Sequence, residues 1–222
     1  MSYNIAIDGP AGAGKSTIAK RIAKELGFIY VDTGAMYRAM ALFMLREGID
    51  PQNSDHISKA CVRAEISIEY QNGEQVVLLN GENVNGLIRT EQVGQMASLT
   101  SANPAVRAAM LDLQRNLAQT ADVVMDGRDI GTVILPDADT KIYLTASSAT
   151  RARRRYEELL LKGEECDLYT IEQEIIKRDY QDMHREIAPL KQADDAVYVD
   201  SSDDSIEEVV NKIIAIVKGK GE

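Results

Sequence analysis

Apolar and polar positions follow two periods along the chain, and the change of period divides it. Ile5-Ala6-Ile7-Asp8 is a short apolar run that reads as a buried strand. It passes directly into Gly9-Pro10-Ala11-Gly12-Ala13-Gly14-Lys15-Ser16-Thr17 and then into an amphipathic stretch through Leu26. A second run, Phe28-Ile29-Tyr30-Val31-Asp32, leads into Thr33-Gly34 and a helical pattern from Ala35 to Arg46, closed by Gly48. Together they predict a βαβα unit. Between Ala64 and Thr90 the period shortens to two: Ile66, Ile68 and Tyr70 alternate with Ser67 and Glu69, and Asn72-Gly73 and Asn80-Gly81 punctuate the run. Both residues of an Asn-Gly pair tolerate positive φ, so the pattern predicts a small antiparallel insertion of two or three strands.

Helical spacing resumes over Glu91 to Thr100 and Pro104 to Gln119, with Pro104 suited to a first helical turn. Val123 to Asp126, Ile142 to Leu144 and Ala196 to Asp200 are further buried-strand candidates. Helices are expected from about Ala149 to Lys162, from Ile171 to Arg185 before Ala188-Pro189, and from about Ile206 to Val217. Five strands separated by helices predict a parallel sheet. There is no internal repeat, low-complexity segment or flexible linker.

Composition narrows the class. A chain of 222 residues with 45% hydrophobic and 27% charged residues is that of one globular domain carrying inserted parts. No apolar run approaches the roughly 20 residues a membrane span requires. The first residues show no basic segment followed by an apolar one, so a cytoplasmic protein is expected. Cys61 and Cys166 lie far apart with no Cys-x-x-Cys or Cys/His cluster, which implies neither a disulfide framework nor a structural zinc site. The net charge of −10 argues against a surface that tracks nucleic acid. Arg151, Arg153, Arg154 and Arg155 are nevertheless packed into five positions, an arrangement suited to small phosphorylated molecules as well as to a solvated helix face.

Gly9-x4-Gly14-Lys15-Ser16 meets the phosphate-loop (P-loop) pattern in its required setting, after a strand and opening a helix. The glycines let successive backbone N–H groups turn toward phosphate oxygens, and the helix N-terminus adds its positive dipole end. Gly9, Pro10, Ala11, Gly12, Ala13, Gly14, Lys15, Ser16 and Thr17 are therefore the candidate ATP-binding segment. Lys15 is expected to reach the β- and γ-phosphates, and the Ser16 hydroxyl to ligand Mg²⁺ carried by ATP. A guanine-reading Asn-Lys-x-Asp is absent, because the Asn211-Lys212 pair continues into Ile213-Ile214. A GTPase switch is disfavoured, and a small arginine-rich domain suits phosphate transfer to a small acceptor better than it suits a motor.

Two further loops follow strands, Asp32-Thr33-Gly34-Ala35-Met36-Tyr37-Arg38 and Asp126-Gly127-Arg128-Asp129-Ile130-Gly131-Thr132. They are expected at the same edge of the sheet as the glycine loop, where ligands bind. Through these loops, Gly9 to Ser16 and Lys177-Arg178-Asp179 to Arg185-Glu186-Ile187-Ala188-Pro189-Leu190, the chain resembles the bacterial cytidylate kinases of the nucleoside-monophosphate kinase family over nearly its whole length. The resemblance implies an α/β fold: a P-loop NTPase-type parallel sheet flanked by helices, with a small antiparallel β insertion and a helical lid. It implies a single kinase domain over 1–222, with core at about 1–33, 106–147 and 166–222, monophosphate-binding part at about 34–105 and lid at about 148–165.

By the same resemblance Ser98, Arg107 and Asp129 read the cytosine, Arg178 and Asp182 hold the ribose, and Arg38, Arg128 and Arg185 bind the monophosphate. Thr33 and Tyr37 stand on the substrate side, and Arg151, Arg154 and Arg155 match the lid arginines. The last three share a helical face at i, i+3, i+4, while Arg153 points elsewhere. With Lys15 and Arg128 they make up the expected catalytic set, neutralising the transferring phosphoryl group. The chemistry fits: the cytosine N4 amino group suits a carboxylate or hydroxyl acceptor, and N3 and O2 suit an arginine, whereas uracil leaves Asp129 facing a carbonyl.

Read without the resemblance, Ser98 and Arg107 are ordinary helix residues, Asp182 pairs with Arg178 or Arg185 along its own helix, Tyr37 fills the core, and Asp32 caps the helix after it. The expected reaction is Mg²⁺-dependent transfer from ATP to CMP or dCMP by a monomer, with no nucleic acid or membrane partner. The alternatives are a kinase for another small anion, such as shikimate or a different monophosphate, and a regulatory nucleotide-binding protein.

Overall fold

A computed structural model describes residues 2–220, the last by its backbone alone. Strand β1 (Asn4–Asp8) carries Ile5, Ala6 and Ile7 with no exposed surface, which suits a strand covered on both faces. With β2 (Ile29–Asp32), β6 (Val123–Gly127), β7 (Thr140–Thr145) and β8 (Val197–Asp200) it forms a parallel sheet in the order β2-β6-β1-β7-β8. The register runs Ile5 to Thr140 and Asp8 to Tyr143, then Ile142 to Val197 and Thr145 to Asp200. The chain leaves β1 toward one side of the sheet and later fills the other, so the loop after β1 sits at a switch point of the topology.

The described residues gather into two compact units, residues 2–3 with 29–123 and residues 4–28 with 124–220. In the second unit, helix α1 (Lys15–Leu26) buries Ile18, Ala19, Ile22 and Ala23 on one face and ends at Gly27 in the left-handed conformation. Helix α8 (Ile206–Lys220) packs against it, and α6 (Ser148–Leu161) packs along α7 (Leu168–His184). Among the described residues no helix is long and apolar enough to cross a membrane.

In the first unit, helix α2 (Thr33–Arg46) is buried through Met36, Ala39, Met40 and Met44 and packs against α4 (Glu91–Thr100) and the small sheet. That sheet is antiparallel, β3 (Ile66–Gln71), β4 (Glu74–Leu79) and β5 (Glu82–Asn83) in order. Asn72, Gly73, Asn80 and Gly81 all take positive φ, as the Asn-Gly hairpin signal requires. Helix α5 (Pro104–Thr120) starts at Pro104, with the Asn103 side chain accepting from the Ala105 and Val106 amides.

Three features depart from the expected elements. Helix α3 (Ser54–Cys61) fills a stretch where no element is expected; its eight residues bury only Ile57, Ala60 and Cys61, too few to set a period. Helices α2 and α7 begin before their first apolar-periodic residues because Asp32 and Asp167 cap them, accepting the Ala35 and Thr170 amides. A single π-helical turn over Ile130–Ile134 follows β6, with nothing in its sequence to announce it.

Candidate active site

The loop after β1 is built by close backbone approach. Gly9 has φ 151°, and a Cβ there would lie 1.9 Å from the Leu144 carbonyl oxygen of β7, so no other residue fits. Gly14, at φ 86°, caps α1 without any side-chain hydrogen bond. Three loop carbonyls accept side-chain donors: Pro10 from Lys15 Nζ at 2.8 Å, Ala11 from Arg151 Nη1 at 3.1 Å and Ala13 from Ser201 Oγ at 3.3 Å. In a trans peptide the N–H of the following residue points opposite to the carbonyl, so the contacts on Ala11 O and Ala13 O turn the amides of Gly12 and Gly14 away from Arg151 and Ser201. Such a row of amides at a helix N-terminus is a phosphate cradle.

Lys15 is buried, 6% exposed, and burial together with the neighbouring Arg128 guanidinium pushes its ammonium down to about 7 against the pull of Asp126, Asp8 and Asp182. Ser16 Oγ donates to Asp126 Oδ2 at 2.9 Å. These two oxygens are the hard ligands that a magnesium ion prefers.

The turn after β6 meets this loop through Asp8. Its carboxylate accepts the Ile130 amide at 2.8 Å on one oxygen and the Gly131 amide at 2.7 Å on the other. Burial raises its pKa to about 6, and Asp129 adds to that rise, while the two amides and Lys15 oppose it. Arg128 Nε donates to Asp182 Oδ2 at 3.0 Å, and Arg185 Nη2 lies 3.7 Å from Asp129 Oδ1. Asp129 and Asp182 are buried, and Arg178 is half-buried on α7. The second unit thus gathers Lys15, Ser16, Arg128, Asp129, Asp182 and Arg185. A carboxylate beside each guanidinium holds it in place before any anionic ligand arrives.

The three arginines of α6, spaced to lie on one helical face, meet different partners along it. Arg151 is buried and bonded to Ala146 O, Ala11 O and Asp179. Arg154 donates to the Ser201 carbonyl at 2.6 Å, and a Cβ on Gly14 would lie 3.9 Å from its Nη1. Arg155 is half-buried and paired with Glu158 at 3.1 Å. The physical reason is packing: the first turn of α6 lies against the loop, and each later residue stands farther along a helix that rises about 1.5 Å per residue.

In the first unit, Thr33 begins α2 and is buried. Asp32 accepts the Ala35 amide at 2.8 Å and an Arg89 Nη2 donor at 2.8 Å. Gln75 pairs with both the amide and the carbonyl of Asp32, at 2.8 and 3.2 Å, as a neighbouring strand would. A Cβ on Gly34 would lie 3.2 Å from Arg38 Nη1, so the bare glycine lets that guanidinium lie back over the turn. The Arg107 guanidinium stands over the Tyr37 ring, 5.9 Å from its centroid. Arg107 Nη1 also reaches the Ser101 carbonyl at 3.5 Å, and the Ser101 hydroxyl donates to the Ser98 carbonyl. Ser98, Tyr37 and Arg107 therefore share one neighbourhood.

Asp8, Gln75, Arg89, Asp179 as the partner of Arg151, and Ser201 stand outside the motifs of the sequence. Only Asp8 carried a signal, an acid ending an apolar strand immediately before the loop. The others act on residues 28 to 188 positions away, beyond any local pattern.

A family model describing cytidylate kinase matches residues 5–219. The cytidylate kinase of Shouchella clausii is 48% identical over 97% of this chain and 96% of its own length. That of Caldicellulosiruptor saccharolyticus is 49% identical over 96% of this chain and 94% of its own. A solved structure of an uncharacterized protein from Eubacterium ventriosum covers 99% of both chains at TM-score 0.53 and 13% identity, a likeness of fold alone.

Proposed function

The chain belongs to the cytidylate kinase family, and from that premise we propose that it transfers the γ-phosphoryl group of ATP to CMP or dCMP, giving ADP and CDP or dCDP. The observation that carries this reading is the meeting, in one unit, of the phosphate loop with Arg128, Asp129, Asp182 and Arg185.

The amides of the loop and Lys15 hold the β- and γ-phosphates of ATP. The family resemblance assigns Arg38, Arg128 and Arg185 to the acceptor phosphate, Arg178 and Asp182 to the ribose, Ser98, Arg107 and Asp129 to the base, and Thr33 and Tyr37 to the substrate side. Arg154 and Arg155 on a lid at about 148–165 supply positive charge to the transferring group. No general base is required, because the attacking phosphate oxygen of CMP is already anionic near neutral pH. Positioning and charge neutralisation carry the rate. Ser16 and Asp126 fit a Mg²⁺ ion arriving with ATP. When bound, it would neutralise charge on the β- and γ-oxygens. The reading takes the protein as a cytoplasmic monomer acting on small molecules.

The test is ADP release with Mg·ATP and, separately, CMP, dCMP, UMP, AMP and shikimate. Stimulation by CMP and dCMP above UMP is expected, and stimulation by shikimate alone would replace the acceptor. Asp129→Ala should lower the CMP-to-UMP preference roughly 10- to 100-fold, the worth of a hydrogen bond to a charged group; an unchanged preference removes Asp129 from base reading.

A further inference from the structure

We infer that Arg151 and Asp179 are positioning residues that hold the phosphate loop in its anion-accepting shape from behind, and that Arg151 is not a group that touches the transferring phosphoryl. This rests on the reading of the loop as the ATP site, which Lys15→Ala tests separately.

Arg151 is 5% exposed, an expensive place for a guanidinium unless its donors are satisfied. They are: Nε donates to Ala146 O at 2.8 Å, Nη1 to Ala11 O at 3.1 Å and to Asp179 Oδ1 at 3.0 Å, and Nη2 to Asp179 Oδ2 at 2.6 Å. The fork on the carboxylate is bidentate, the strong and orientation-fixing form of this pair. The side-chain stem lies on the loop as well, since a Cβ at Gly12 would stand 3.4 Å from Arg151 Cβ. One planar group thereby joins the loop, the entry to α6 and helix α7 through four contacts, including a two-pronged fork that a lysine ammonium with three donors cannot reproduce.

Four of the five guanidinium N–H groups are occupied and one, on Nη2, is left, so turning a two-pronged fork to a γ-phosphate would require breaking the pair with Asp179. What the contact on Ala11 O does instead is fix the peptide whose N–H belongs to Gly12, in the middle of the cradle. Asp179 lies on the helix that also carries Arg178 and Asp182, so the strut runs from the proposed ribose-holding helix to the donor loop.

The experiment measures ATP affinity and CMP affinity by calorimetry, each without the other substrate, with kcat and melting temperature, for Arg151→Lys, Asp179→Asn and Asp179→Glu. Both Arg151→Lys and Asp179→Asn should weaken ATP roughly 10- to 100-fold, the worth of a hydrogen bond to a charged group. CMP affinity should hold at the wild-type value, and Asp179→Glu should recover part of the ATP loss. Three results overturn the inference. They are ATP affinity unchanged in folded Asp179→Asn; kcat lost in Arg151→Lys with ATP affinity intact, which would put the guanidinium on the transferring group; and ATP affinity, CMP affinity and melting temperature falling together, which would make the pair a general brace.

Discussion

Helix α1 begins at Gly14 with no side chain on its first amides, whereas helix α2 begins at Asp32, whose carboxylate closes on the Ala35 amide at 2.8 Å. The later helices follow α2: Asn53, Thr90, Asn103, Ser147 and Asp167 each accept an amide of the helix they precede, and Ser205 and Glu208 form a reciprocal pair at the start of α8. Asp8 does the same for the amides of the π-helical turn. Every helix start carries unsatisfied N–H groups, and in this chain the default is to close them with its own oxygen. The phosphate loop is the place where that closure is withheld. Glycine at the cap and donors on the loop carbonyls do the withholding, which marks the site better than the dipole of α1 does.

The strongest way to break the contrast is at the open end. Lys15→Ala is expected to lower turnover about 10²- to 10³-fold or more, on the scale of losing one preorganised charge-stabilising donor. Near-normal turnover by a folded variant, followed as ADP release, would end the phosphate-loop assignment.

A middle-sized effect tests the Asp8 closure through pH. Its carboxyl rises from 3.8 to about 6 on folding, so the folded state holds its proton over a range where the unfolded state has lost it. The stability this contributes is full below about pH 3.8 and is lost as pH rises through about 6, by up to about 3 kcal/mol. Asp8→Asn does not titrate, so its melting temperature relative to wild type should move in its favour between about pH 4 and pH 7. A difference constant across that window would place the group's pKa at its ordinary value.

The smallest effect sharpens the comparison from the closed side. Asp32→Ala removes the cap of α2 and the partner of Arg89, and should cost roughly 0.5–2 kcal/mol in denaturant unfolding. It should raise KM for CMP more than KM for ATP, since the turn before Arg38 loosens. A rise in KM for ATP alone would contradict that division.

Much of this was legible beforehand. Strand β1, the loop, the Asn-Gly hairpins and helix α4 declare themselves by period and turn chemistry, because those signals lie within a few residues of one another. The base of the site was legible in residue identity only. That Arg151 is buried on Asp179 while Arg155 is only half-buried beside Glu158 depends on how α6 packs on α7, and the i, i+3, i+4 pattern of Arg151, Arg154 and Arg155 is the same in either case. The π-helical turn after β6 was hidden for the reverse reason: its stabilising partner, Asp8, is 122 residues away from Ile130.

The depressed ammonium of Lys15 has a consequence for chemical reactivity. Burial and the Arg128 guanidinium disfavour the charged form there, so the uncharged amine is easier to reach than on an ordinary exposed lysine. The uncharged form is the nucleophile, and the loop that surrounds it attracts anions. An aldehyde bearing a phosphate group should therefore condense at Lys15 ahead of the other lysines, with ATP shielding it, so that the residue reports occupancy of its own site by what it fails to react with.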